Sequence, residues 1–154
     1  MSHEVASSTQ PFRDRLIGAW RLVSFHTISD DGTPPIYPLG KDATGYIIYT
    51  PDGYMSAQIM QHGRSRYEAA WISEGTDSES AQAARGYLAY SGPYHIENDS
   101  VIVHQAEVSL FPNWIGEPLS RKAVPDGRHL ELTTTSPVLF DGKLLNSVLI
   151  WERA

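Results

Sequence analysis

Gly45-Tyr46-Ile47-Ile48-Tyr49-Thr50-Pro51-Asp52-Gly53-Tyr54-Met55-Ser56-Ala57 reads as two strands folded back on each other. β-Branched and aromatic residues flank an Asp-Gly step, whose glycine accepts the positive φ that tight hairpins demand. Side chains alternate along a strand, and residues paired across a hairpin share a face. With Asp52-Gly53 as a two-residue turn, Tyr46, Ile48 and Thr50 therefore lie with Met55, Ala57 and Ile59, and this set is expected to face inward. Tyr49, Ser56 and Gln58 fall on the opposite, more polar face.

Asp-Gly recurs at Asp31-Gly32, Asp126-Gly127 and Asp141-Gly142. Around these steps lie further strand-like runs: Gly18 to Ser29, Gly92 to Glu97, Val101 to Phe111, Leu119 to Val124, His129 to Ser136 and Leu144 to Arg153. One stretch differs. Thr76 followed by Glu79 has the form of a capping box, and Ala81, Ala84 and Leu88 follow at helical spacing, which predicts one helix over about 77–89. About eight antiparallel strands joined mainly as hairpins, with one short inserted α-helix, fit an all-β, closed up-and-down barrel, because closure leaves no strand edge unpaired. A cystatin-like cone is the competitor, but it opens with long helices and this chain opens with a strand.

The same parity argument assigns other inner faces. Trp20, Leu22, Ser24 and His26 share one face of the first strand. In the hairpin turning at Asn98 to Ser100, a three-residue loop puts Tyr94 opposite His104, with Ile96, Ile102, Ala106 and Val108; a two-residue loop brings His95 there instead, and both remain open. Around Asp126-Gly127, Ala123 is expected opposite Leu130 and Arg121 opposite Leu132, so Arg121 is carried inward with residues that look like core; Leu149, Trp151 and Arg153 continue that face.

At 154 residues and 17.1 kDa the chain is about one domain's worth, assigned as a flexible arm over 1–12 and a single barrel domain over 13–154. Its 41% apolar and 19% charged residues suit a globular protein. A net charge of −6 with pI ≈ 5.4 argues against nucleic acid or an anionic membrane as partner, since both are bound by basic surfaces. With no cysteine, disulfides and thiolate chemistry are excluded. No segment reaches the ~20 apolar residues of a membrane span, and no signal segment is recognised, so a cytoplasmic location is expected. Six scattered histidines show no short ligand spacing, so neither a metal nor a cofactor is expected.

Gly18-Ala19-Trp20 on the opening strand and Trp151-Glu152-Arg153 on the closing one resemble the Gly-x-Trp start and terminal arginine of lipocalins. More specifically, Leu16-Ile17-Gly18-Ala19-Trp20-Arg21-Leu22-Val23-Ser24-Phe25, Tyr37-Pro38-Leu39-Gly40, the Gly45–Ala57 stretch, Tyr90-Ser91-Gly92-Pro93-Tyr94 and Ser109-Leu110-Phe111-Pro112-Asn113-Trp114 resemble the bacterial and fungal lipocalin-like domain family of small intracellular barrels, of calycin type. The resemblance runs from about residue 14 to the end. It implies the barrel and leaves the activity to be argued from the site. It also implies that Trp20 and Arg153, with Trp151, close one end of the barrel.

Three side chains are candidates for chemistry. His104, on an apolar face, titrates near neutrality and suits proton transfer; the alternative is a structural histidine bonded to a tyrosine. Tyr94 is expected to orient His104 or donate to a carbonyl. Arg121 suits a carboxylate, enolate or phenolate on a ligand, or else a buried protein partner. Tyr46, Ile48, Met55, Ala57, Ile59, Tyr94, His104, Trp114 and Arg121 are the expected ligand-binding set, with Trp71 and Trp114 near the mouth. The leading expectation is a barrel that binds a small, largely hydrophobic molecule. A cofactor-free isomerase or cyclase of polyketide-like or terpenoid-like substrates is the alternative, and a filled barrel acting through its surface, as a monomer or a homodimer, is the second. An interior void of about 300 Å³ or more that reaches solvent favours the first two; solid packing around His104 sinks both.

Overall fold

Ten strands run between Gly18 and Arg153 in the computed structural model, which describes residues 10–154. They are β1 (Gly18–Ile28), β2 (Thr44–Tyr49), β3 (Tyr54–Met60), β4 (Tyr87–Asn98), β5 (Val101–Gln105), β6 (Val108–Ser109), β7 (Pro118–Asp126), β8 (His129–Thr134), β9 (Val138–Phe140) and β10 (Lys143–Arg153), with one helix, α1 (Asp77–Arg85), before β4. The order β1-β2-β3-β4-β5-β7-β8-β10 closes because β1 also pairs with β10, so eight antiparallel strands form a barrel without free edges. The short β6 pairs with β4, and β9 pairs with the start of β10. Residues 1–9 of the expected arm lie outside the described residues; at its other end, Phe12 packs against the core.

The β2–β3 hairpin corrects the expected inner face. Its loop has three residues, not two: Thr50 N–H donates to the Tyr54 carbonyl at 2.8 Å, and Tyr54 N–H donates to Thr50 Oγ1 at 3.0 Å. Pro51 pre-sets the turn, and Gly53 takes the positive φ of 96° that follows it. Tyr49 thus pairs with Met55 and Ile47 with Ala57. A shift of one residue turns every side chain of β2 over. Ile47 and Tyr49 are 2% and 1% exposed, whereas Tyr46 and Ile48, expected inside, are 47% and 41% exposed on the outer surface.

A second irregularity sits in β1, where the register with β10 shifts between Leu22 and Ser24. Val23 is the extra residue and points outward. Beyond it the parity changes, so Phe25 and Thr27 are buried instead of Ser24 and His26. Elsewhere the expected pairings hold in sense. Tyr94 faces His104 across β4–β5. Arg121 pairs with Thr134 and Ala123 with Leu132, two residues from the expected register, a displacement that leaves Arg121 on the inner face.

The capping box at Thr76 forms, with Thr76 Oγ1 accepting from Glu79 N–H and Glu79 accepting from Thr76 N–H. The helix is shorter than the alanine spacing suggested: it stops at Arg85, Gly86 ends it, and Leu88 belongs to β4. β4 is accordingly longer than expected, because it runs from β3 across to β5. At Gly92 a Cβ atom would collide with the carbonyl oxygen of Gln105, so only glycine lets these backbones cross so closely. After this crossing the chain bulges, and Val108 is exposed rather than inside.

Candidate functional site

One end of the barrel is sealed by packing. Trp20, fully buried, donates from Nε1 to the Leu16 carbonyl at 2.9 Å. The Arg153 guanidinium lies 3.9 Å from the centre of the Trp20 ring and donates to the carbonyls of Ile17 and Arg15 at 2.6 and 2.8 Å. The cation thus finds a π face and two carbonyl acceptors, which offsets its partial desolvation.

Above this floor, β5 places His104 at 0% exposure. Tyr49 Oη from β2 lies 2.8 Å from His104 Nε2, and Tyr90 Oη from β4 lies 2.8 Å from Nδ1. Both ring nitrogens are occupied. Burial, reinforced by the Arg121 cation, lowers the His104 pKa from 6.5 to about 3, so the imidazole is neutral at physiological pH. Burial also raises the phenols of Tyr49 and Tyr90, with the Arg121 charge opposing that shift in both. Tyr49, His104 and Tyr90 therefore form a neutral chain of three rings beside one fixed positive charge.

A cavity of about 100 Å³ opens on one side of this chain. Its apolar walls include Phe25, Ile47, Ala57, Ile59, Leu132 and Leu149, and its polar lining consists of Tyr90, His104, Arg121, Ser147 and Trp151. Arg121 donates from Nη1 to its neighbour's carbonyl, Ser120 O, at 2.9 Å, and among the described residues it makes no salt bridge; the one such pair is Arg21 with Glu152. Trp151 Nε1 is buried and has no hydrogen-bond partner among the described residues. Outside lies a vestibule of about 430 Å³ between the loop at Pro38-Leu39, the end of α1 and Leu110-Phe111. Phe25, Leu88 and Trp114 line both spaces and so form the partition between them.

The structure divides the expected set. Ala57, Ile59, His104, Trp114 and Arg121 line the cavity. Met55 is buried in the core beyond it. Tyr94 packs edge-on to Tyr49 at 5.1 Å and donates its hydroxyl to Thr50 O at 2.9 Å, away from the imidazole nitrogens. Tyr46 and Ile48 are outside, and Tyr46 lies near Arg21. Trp71 is exposed, away from both spaces. Tyr90 was missed because it falls between the expected helix and the expected start of β4, and Ile47 and Tyr49 because of the turn; Pro51 was the available signal. Trp151, expected as end closure, is a cavity wall.

No helix among the described residues is long and apolar enough to cross a membrane. The chain matches the family described as lipocalin-like domain over residues 17–154. It is also 39% identical over 106 residues to an Aspergillus oryzae protein named 4'-hydroxy-3'-methoxypropiophenone carrier protein, an alignment covering 64% of this chain and 96% of that one.

Proposed function

Since the chain belongs to the lipocalin-like domain family, we propose that its barrel holds one small, largely hydrophobic molecule, in the manner of a carrier. The observation that carries this reading is the apolar cavity containing Arg121, a cation with no acidic partner among the described residues. A buried or half-buried charge without a counterion is costly, and a ligand oxygen relieves that cost. The name of the fungal relative supports an aryl ketone as the kind of ligand to try.

The enclosed space of about 100 Å³ is smaller than the ~150 Å³ that takes benzene, and smaller than the 300 Å³ set out as the mark of an open interior. Loading a ring-bearing ligand therefore requires the partition to move, joining the cavity to the vestibule. Trp114 is the part built to move. It sits on the short turn Pro112–Trp114, half-buried, held by edge contacts to Tyr90 and Phe111 at 5.4 Å each.

The test is titration of the purified protein with 4'-hydroxy-3'-methoxypropiophenone, followed by tryptophan fluorescence and calorimetry. Saturable one-to-one binding with quenching is expected, and Arg121→Ala should weaken it about tenfold, the loss of one charge-assisted hydrogen bond. Trp114→Ala should speed association about tenfold in stopped-flow mixing, because the partition is then open. Absence of saturable binding, or binding indifferent to both substitutions, would remove the interior-carrier reading.

The second reading, a cofactor-free isomerase or cyclase in the same cavity, is favoured by the Arg121 cation, which could polarise a carbonyl. His104 is poorly suited to move its proton, with both nitrogens engaged and a pKa near 3. Turnover lost in Arg121→Ala while affinity largely survives would establish chemistry.

A further inference from the structure

Hydrogen-bond accounting at His104 assigns the direction of every proton in the chain of rings. Neutral imidazole has one donor and one acceptor nitrogen. Tyr49 is fully buried, does not line the cavity, and has His104 Nε2 as its hydroxyl's one hydrogen-bond partner among the described residues. If Nε2 carried the proton, the Tyr49 O–H would be an orphaned buried donor, which costs more than a formed bond returns. Tyr49 therefore donates to Nε2, the His104 proton is on Nδ1, and Nδ1–H donates to Tyr90 Oη. Arg121 lines the same cavity, and its charge acts on the Tyr90 hydroxyl. With its oxygen accepting from Nδ1–H, Tyr90 keeps a free O–H, and no protein acceptor for it is found among the described residues.

The cavity is consequently rich in donors and poor in acceptors. Arg121 has N–H groups beyond the one given to Ser120, and the Trp151 indole N–H has no partner among the described residues. The acceptor nitrogen of His104 is consumed by Tyr49. Ser147 is the one lining hydroxyl able to act either way. A small molecule seated here gains most by presenting an oxygen with lone pairs, whereas a cationic or donor-only group meets the Arg121 charge and finds the Ser147 hydroxyl as its one side-chain acceptor among the described residues.

We propose that the barrel selects its ligand by an acceptor oxygen, a ketone carbonyl or a phenolate, received by the Tyr90 hydroxyl and the Arg121 guanidinium with the Trp151 indole N–H as the third donor. This rests on the reading that the interior holds a ligand, and it adds the chemistry of the ligand and two residues, Tyr90 and Trp151. His104 is then a positioning residue: it fixes the Tyr90 hydroxyl with its hydrogen outward.

The test compares three probes of similar shape: propiophenone, n-propylbenzene, which lacks the oxygen, and 1-phenylpropan-1-aminium, which offers only donors. Propiophenone is expected to bind at least tenfold more tightly than n-propylbenzene, and the ammonium not measurably. Tyr90→Phe and Trp151→Phe should each reduce that preference severalfold while the affinity for n-propylbenzene stays within about twofold. The carbonyl stretch of bound propiophenone should shift to lower frequency, and part of the shift should be lost in Tyr90→Phe. Nitrogen NMR of the unliganded wild type should show Nδ1 protonated and Nε2 bare, a readout that needs no variant to fold. Equal affinity for the ketone and the hydrocarbon, or the opposite tautomer, overturns the acceptor-oxygen proposal and leaves the carrier reading standing. Failure of all probes to bind removes the carrier reading, and this proposal with it.

Discussion

His104→Ala should lower the unfolding free energy by about 4 kcal/mol and the midpoint of thermal unfolding by about 10 to 15 °C. The substitution leaves the buried hydroxyl of Tyr49 with no partner among the described residues, deprives Tyr90 of its donor, and opens a void among packed rings. Each orphaned buried group costs about 1 to 3 kcal/mol, and the cavity adds to this. The cause is separable from loss of bulk. In the triple variant Tyr49→Phe, His104→Leu, Tyr90→Phe no polar group is stranded, so the loss should shrink to about half or less, measured by urea unfolding. An additive triple variant, no more stable than the sum of its parts, would show that the three rings do not act as one network.

Acid should destabilise the wild type steeply through the same residue. The folded-state pKa of His104 is about 3 against 6.5 for an exposed histidine. Between those values the unfolded chain binds a proton that the native state refuses, so stability rises with pH across that window and is lost as pH falls from about 6.5 towards about 3. At about 1.4 kcal/mol per pH unit where the difference is complete, roughly 3 kcal/mol should disappear between pH 8 and pH 4. Asp31, held below its usual range by the hydroxyls of Ser29 and Thr33, and Glu79, lowered by the backbone N–H groups of Thr76 and Glu68, act in the same direction at the acidic end of this window, below their ordinary values of 3.8 and 4.5. Urea-unfolding free energies measured at intervals from pH 8 to pH 4 give the slope. A flat profile over this range in the wild type, or the same slope in the triple variant, would mean that His104 is not the group responsible.

These two effects meet at a site that was half legible in the chain. The apolar neighbours of His104 on β5 mark it as inward, and Ala123, Leu130 and Leu132 carry Arg121 inward even though the expected pairing of β7 with β8 was displaced by two residues. That error was harmless because an even shift preserves the face. At β2 the shift was odd, and it moved Tyr46 and Ile48 out and Ile47 and Tyr49 in. The bulge at Val23 did the same to the second half of β1, where Phe25 rather than His26 reaches the partition.

What the chain itself determined is local: strands where β-branched and aromatic residues alternate, reversals at Asp-Gly, and a helix start at Thr76 with Glu79. These follow from neighbours in sequence, whose sterics and hydrogen bonds need no other partner. Tertiary structure decided which face is the interior and what His104 touches. Face parity depends on counting loop and bulge residues to the unit, and Tyr49 and Tyr90 come to the two imidazole nitrogens from 55 and 14 residues away. Only closure of the barrel brings those three side chains together, and with them the surplus of donors that defines the cavity.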